Sequence, residues 1–223
     1  MLDTGVEVAL KGIKKIAARR MVQAWQAPVF HLTAQVDMER LLVYAKSIEG
    51  VTVTDALIFC VGQGLQQVTD LNSHYSEEIV TVFSEINIGI AVATEKGLVV
   101  PVIHGVEGLD LKGVATERST VVSLAREGKL AMANIEGATF TISNLGMLGV
   151  DTFDAIVNPP QVGILAIGST KSVPVVVNEK IEIRKRANFT LTCDHRAIDG
   201  ATGARFLTVV RTLIEGIGTS PCE

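Results

Sequence analysis

Cysteine is scarce in this chain, and the three present, Cys60, Cys193 and Cys222, are odd in number and far apart. They frame neither a disulfide scaffold nor a zinc site, so a reducing, intracellular compartment is the default expectation. Aromatic residues make up only 4% of a chain that is 48% hydrophobic. The apolar content is therefore Val, Ile, Leu and Ala, which suits a sheet packed against helices. There is no basic surplus: the formal net charge is −4, which argues against a non-specific nucleic-acid binder. No apolar run approaches the roughly 18 residues that span a bilayer; Gln63 and Gln66 break the richest one. The opening MLDTGVEVALKG lacks the basic-then-apolar pattern of a secretory signal. A P-loop lysine is missing, and the dinucleotide-like start at Gly62-Gln63-Gly64 fails at Gln67. Repeats and low-complexity tracts are also missing. A mean hydropathy of +0.37 without a membrane span hints at surfaces buried between subunits.

What is present reads as alternating helices and strands. Apolar spacing predicts a helix over 14–24, stopped by Pro28, then a strand over 29–36. Asp37 is placed to cap a helix over 38–48, and Thr54 to cap the next, through Val68. From Ile86 to Val92 the period becomes that of a strand. The turn Glu95-Lys96-Gly97 returns it through 98–103. A helix over 111–127 ends at Gly128. A short strand over 138–143 leads into a glycine-containing loop over 144–150. An aliphatic strand over 161–168 reads as buried on both faces. Two strands, 173–177 and 180–192, join through Asn178-Glu179, and a helix over 199–216 follows. The simplest description is one α/β domain over 1–223 with a mixed sheet.

The most informative segment is Thr192-Cys193-Asp194-His195-Arg196-Ala197-Ile198-Asp199-Gly200. A histidine stands where a strand ends, an acid follows four residues later, then a glycine. Neutral imidazole accepts a proton near pH 7, and a strand end fixes its backbone while exposing its ring. Asp199 can hold the loop by pairing with an arginine or with backbone amides. By spacing alone, a satisfied core or surface histidine is the commoner outcome.

DHRAIDG (194–200), ATFTISNLGMLGVDTFDAIVNPPQVGILAIG (138–168), GLVVPVIHG (97–105) and IKKIAARRM (13–21) stand in one order along the chain. Together they resemble the catalytic domain of the dihydrolipoamide acyltransferases of 2-oxoacid dehydrogenase complexes, in the coenzyme A-dependent acyltransferase superfamily with chloramphenicol acetyltransferase. The resemblance implies a chloramphenicol acetyltransferase-like two-layer α/β sandwich with helices packed on a mixed sheet. It implies acyl transfer, acetyl first among the candidates, between a dihydrolipoyl arm and coenzyme A. His195 would be the general base, Ser143 the oxyanion donor and Asp199 a loop-holding residue of the catalytic motif. Asn144 is carried over as a substrate-binding residue. Coenzyme A and lipoamide would be substrates, with no covalently bound cofactor and no metal. Family members place the base and the serine on different subunits of a trimer, and trimers build 24-mer or 60-mer cores. Such cores work with lipoyl domains and, indirectly, with decarboxylase and dihydrolipoamide dehydrogenase components, in bacterial cytoplasm or the mitochondrial matrix. Lipoyl and subunit-binding domains are not visible here, so a fragment of a longer protein is the expectation. An arginine partner for Asp199 near Arg19 or Arg20 is plausible by the same analogy.

Three alternatives compete. A catalytically inactive core or tethering subunit would be expected to lack the histidine or the serine, and both are present. An acyltransferase for a small-molecule acceptor is disfavoured by the TFTISNLG-like and NPPQ-like segments. Cys193, two residues before His195, could support covalent transfer, but a buried strand cysteine is commoner. His31, His74 and His104 lack partners at metal-ligand spacing and read as structural or solvent-facing, His31 being the one that analogy brings near the active-site channel. The apolar face Leu207, Val210, Leu213 and Ile214 reads as core, some of it available, with the C-terminal tail, for assembly.

Overall fold

The computed structural model describes residues 5–95 and 97–218. Along it run α1 (Gly12–Ala24), β1 (Val29–Asp37), α2 (Glu39–Ser47), α3 (Val53–Gln67), β2 (Ser73–Ser76), β3 (Ile79–Val82), β4 (Ile88–Ile90) and β5 (Val92–Thr94). Then come β6 (Gly97–Val99), β7 (Val102–Ile103), α4 (Leu111–Glu127), β8 (Phe140–Asn144), β9 (Gly163–Ile167), β10 (Lys171–Val177), β11 (Lys180–Asp194) and α5 (Gly200–Gly216). The expected helices and most strands are in place. Lys96 and the C-terminal tail with Cys222 lie outside the described residues.

Three local expectations change. The cap of α3 is Thr52, not Thr54: its hydroxyl accepts the Asp55 amide at 3.4 Å, and its own amide donates to Asp55 Oδ2 at 2.7 Å. This reciprocal pair answers two amides at once, which Thr54, inside the first turn, cannot do. The hairpin expected over 86–103 is split. Ile90 donates to the Pro101 carbonyl at 2.8 Å, but Pro101 has no amide to return. So β7 pairs with β4, and β5 with β6 forms a separate ribbon. Finally, β2 and β3 form an antiparallel hairpin that was not expected. Its turn residues Glu77 and Glu78 hold φ of 50° and 65°, a conformation that Asn or Gly normally signals.

The main sheet has the order β1-β11-β9-β8-β4-β7, with β10 also paired to β11. β8 runs parallel to β4 and β9; the other pairs are antiparallel. Phe140, Ile142, Leu165, Phe189, Leu191 and Cys193 share one core with the apolar faces of α2 to α5. On the opposite face Ile164 and Ala166 meet Ala155 and Val157 from the extended segment after the serine loop, with Phe153 against them. β9 is therefore buried on both sides.

Leu207, Val210 and Ile214 of α5 are buried and Leu213 packs against them, so this face belongs to the core rather than to assembly. At Gly64 of α3 an added Cβ would lie 2.7 Å from Val210 Cγ2, a close approach that only glycine permits. Apolar surface left exposed in the single chain lies elsewhere and includes Val176, Ile181 and Ile183 of the β10–β11 hairpin (73–78% exposed), Met147 and Leu148 of the serine loop, and Trp25.

Candidate active site

β11 delivers Asp194, then His195. Asp194 is buried and bonded on its backbone: its amide donates to the Val162 carbonyl at 2.9 Å. Its carbonyl accepts from Ala197 at 3.1 Å and Ile198 at 3.0 Å, closing the turn. His195 donates its amide to the Pro28 carbonyl at 2.8 Å, which ties the turn to the start of β1. Its ring is exposed and lies against Phe30, with ring centroids 4.7 Å apart. Among the described residues no hydrogen bond engages the imidazole, so both ring nitrogens are free for chemistry.

Asp199 is the N-cap of α5. Its carboxylate accepts the Thr202 amide at 2.7 Å. That amide, then the Thr202 hydroxyl, then the Ala201 amide and last the charge of His195 hold the carboxyl below its ordinary pKa. The arginine expected near Arg19 or Arg20 does not partner it; among the described residues Asp199 forms no ion pair with an arginine. Backbone amides do the work because a helix start presents unpaired N–H groups directly at the cap.

Ser143 is half-buried near the end of β8, paired in register with Ala166. Strand alternation puts it on the face of Thr141, whose hydroxyl donates to Gln161 Oε1 at 2.6 Å. Among the described residues the Ser143 hydroxyl has no hydrogen-bond partner. Asn144 Oδ1 accepts the Gly146 amide at 2.9 Å, which orients the side chain and leaves its NH2 group without a partner among the described residues. That loop is pinned: Leu145 donates to the Ile167 carbonyl at 3.1 Å, and a Cβ at Gly146 would lie 2.6 Å from the Gly168 carbonyl oxygen.

The register separates His195 from Ser143. Ser143 is level with Ala166 of β9, and Ala166 with Thr190 of β11. His195 lies five residues beyond Thr190 and two strands away from β8. Strand geometry makes that about 17 Å along β11 and about 10 Å across, or roughly 19 Å in all. One chain does not bring His195 and Ser143 to a common reacting atom.

The other candidates fall out clearly. Cys193 is buried in the helix-facing core, and burial first, then the charge of Asp194, push its thiol up to about 12. A thiol so protonated is no nucleophile near neutral pH. His74 bonds the Ala138 carbonyl at 2.9 Å and His104 the Ala133 carbonyl at 3.0 Å, both structural roles. His31 sits on the polar face of the sheet, 2.9 Å from Thr192 Oγ1 and 3.9 Å from Asp154 Oδ1. Pro159-Pro160 is a cis bond. Sequence reasoning missed two contacts at the site: Phe30 against His195, and Tyr75, whose ring lies 4.2 Å from the Arg196 guanidinium carbon. Neither carries a sequence signal, since Phe30 reads as an ordinary strand apolar residue and Tyr75 stands on the unexpected hairpin. No group of three or more metal-ligating side chains gathers among the described residues, and among them no helix is long and apolar enough to cross a membrane.

Residues 3–220 match the 2-oxoacid dehydrogenases acyltransferase (catalytic domain) family. The chain belongs to this family. A pyruvate dehydrogenase complex dihydrolipoyllysine-residue acetyltransferase component from Rickettsia bellii is 35% identical over 213 residues, 91% of this chain and 51% of its own length. The acyltransferase domain thus spans about half the length of the curated relatives it matches. An Azotobacter vinelandii dihydrolipoamide acetyltransferase, studied for the roles of a serine, a histidine and an asparagine in its mechanism, superposes with a TM-score of 0.93. It is 29% identical and covers 98% of this chain and 94% of its own. A cubic core of the pyruvate dehydrogenase multienzyme complex superposes at 0.91, with 30% identity and coverage of 98% and 94%. Chloramphenicol acetyltransferase, at 13% identity and 0.58, shares the fold.

Proposed function

We propose that this acyltransferase domain moves an acetyl group between a dihydrolipoyl arm and coenzyme A at sites shared between two copies of the chain. The observation that carries the reading is a pair of uncommitted groups, the His195 imidazole and the Ser143 hydroxyl, held on separate rigid elements. His195 takes the proton of one thiol, and the resulting thiolate attacks the thioester carbonyl. Ser143 from a neighbouring copy donates to the oxyanion. Collapse expels the second thiolate, which takes its proton back from the imidazolium. No acyl-enzyme forms, because both substrates meet at one point. A base of this kind contributes about 10²–10⁴-fold in rate.

The Azotobacter enzyme supports the residue assignment by spacing. In both chains the histidine follows the serine at the same separation, and the third residue follows the histidine by four. That third residue is asparagine there and Asp199 here; either side chain caps a helix, whereas only one titrates. Asp199 is therefore a loop-holding residue, and Asn144 a substrate-side contact through its free amide. The assembly is built from trimers, as a 24-mer or 60-mer core. Its arm comes from a lipoyl domain, and its partners in sequence are a decarboxylase and a dihydrolipoamide dehydrogenase. The compartment is the bacterial cytoplasm or mitochondrial matrix. An inactive tethering subunit is disfavoured by the freedom of both reactive groups.

The test is acyl transfer from acetyl-coenzyme A to free dihydrolipoamide, with succinyl- and isobutyryl-coenzyme A in parallel, on protein sized by light scattering. Transfer favouring acetyl supports the reading. A well-formed assembly without transfer overturns it.

A further inference from the structure

His195 is flanked by a charged pair that the acyl-transfer chemistry leaves without a role. Arg196 donates its backbone amide to Asp194 Oδ1 at 3.0 Å and its Nε to the same oxygen at 2.9 Å. Nε also lies 3.1 Å from Asp194 Oδ2, and Nη2 donates to that oxygen at 2.6 Å. The carboxylate is almost entirely buried, its side chain 3% exposed, while the guanidinium side chain is 39% exposed. A planar fork on a buried carboxylate has one geometry, and this one bridges from the residue before His195 to the residue after it.

The free face of the guanidinium is also covered. The Tyr75 ring lies 4.2 Å away, within cation–π range. Tyr75 is itself tied down: its amide donates to the Pro160 carbonyl at 2.8 Å, and its neighbour His74 bridges to Gln161. Gln161 in turn accepts the Thr141 hydroxyl, two residues before Ser143. The β2–β3 hairpin thus connects the strand of the serine to the turn of the base.

We infer that Tyr75, Arg196 and Asp194 form a clamp of positioning residues that holds the His195 turn in its catalytic orientation. The proposal rests on His195 being the base. Arg196 commits Nε and one Nη2 hydrogen to Asp194, and its remaining donors make a phosphate contact the competing role that the experiment separates. Because a shift of about 1 Å in a reacting group can cost about 10²-fold in rate, loosening the clamp lowers kcat and leaves substrate affinity alone.

The experiment compares Arg196→Met, Arg196→Lys, Tyr75→Leu and Tyr75→Phe in the assembled protein, each sized and melted to establish folding. Two readouts are taken: steady-state acetyl transfer, and the rate at which diethylpyrocarbonate modifies His195, with His104 as internal reference. Arg196→Met and Arg196→Lys are both expected to lower kcat about 10- to 100-fold with KM for coenzyme A within about twofold. Lysine fails to rescue because it keeps the charge but not the fork. Tyr75→Phe recovers most of what Tyr75→Leu loses, because the ring face and not the hydroxyl meets the guanidinium. His195 modification changes several-fold while His104 does not. A loss confined to KM and relieved in Arg196→Lys would instead make Arg196 a phosphate ligand and overturn the clamp. Unchanged kcat and unchanged His195 reactivity in Arg196→Met or Tyr75→Leu would overturn it as well. The modification readout needs no turnover, so a protein inactive for other reasons still tests the clamp.

Discussion

Mixing two inactive variants should restore activity. With His195 as the proposed base, His195→Ala is expected to lower the rate about 10²–10⁴-fold; with Ser143 as the proposed oxyanion donor, Ser143→Ala is expected to lower it about 10²–10³-fold. Each parent assembly then retains about 1% or less. Within one chain the backbone positions of the two residues stand roughly 19 Å apart by strand geometry, more than their side chains can span, whereas a base and an oxyanion donor must each lie about 3 Å from the reacting atoms. On the proposed reading, a functional site draws His195 from one copy and Ser143 from a neighbour. In cyclic trimers co-expressed from equal amounts of both variants, a site is intact when its histidine comes from a Ser143→Ala chain and its serine from a His195→Ala chain. Random assembly makes that about a quarter of all sites. The assay is acetyl transfer by the purified mixed assembly, with subunit ratio measured by mass spectrometry. Recovery to about a quarter of the unaltered rate, more than tenfold above either parent, is the expected result. Activity no higher than the mean of the parents would refute the shared site and the register argument behind it.

Three further outcomes follow from the same geometry. Cys193→Ala should leave the transfer rate nearly intact, since the thiol is buried and pushed up to about 12; a large loss in a folded variant would revive covalent transfer. Asp199→Asn should keep the cap and most of the rate. The carboxyl's pKa is lowered in the fold, so its stabilisation is present above the ordinary carboxylate range and is lost as pH falls through the lowered value. The gap between urea midpoints at neutral and acid pH should therefore be smaller in Asp199→Asn than in the unaltered protein, and a rate loss as large as that of His195→Ala would point to proton transfer instead. Arg118 bonds the fully buried Asp55, with Nη2 3.3 Å from Oδ2. Arg118→Leu leaves that buried carboxylate its Thr52 donors but no countercharge, at a cost of about 3 kcal/mol, a fall in Tm of roughly 6–12 °C by calorimetry; an unchanged Tm would show that the pair contributes nothing.

Local chemistry was legible in the sequence wherever one residue type answers one backbone need. Gly128 ends α4 in a left-handed conformation, Asp199 caps α5, and Asn178 takes positive φ in the β10–β11 turn. The two glutamates at the β2–β3 turn adopt the same unusual conformation without being residues that favour it, so that hairpin, and Tyr75 on it, could not be read. Thr52 and Thr54 are equivalent by composition, and only the reach of Asp55 distinguishes them. The split of the expected 86–103 hairpin depends on which strand lies beside Pro101.

By itself, then, the sequence determined most of the elements, the mixed α/β class and the family to which the chain belongs, and it supplied the residues proposed to do the chemistry. Each of these follows from short-range pattern: periodicity, caps, and motifs such as DHRAIDG. Only the tertiary structure decided which partner each group takes. The Asp199 carboxylate turned to an amide of its own helix rather than to an arginine. Cys193 turned into the core while His195, beyond the strand end, stayed at the surface. His195 and Ser143 were separated by two strands and five residues of register. Strand pairing joins residues distant in sequence, and their register is set by the packing of the whole sheet, so no local pattern encodes the distance between His195 and Ser143.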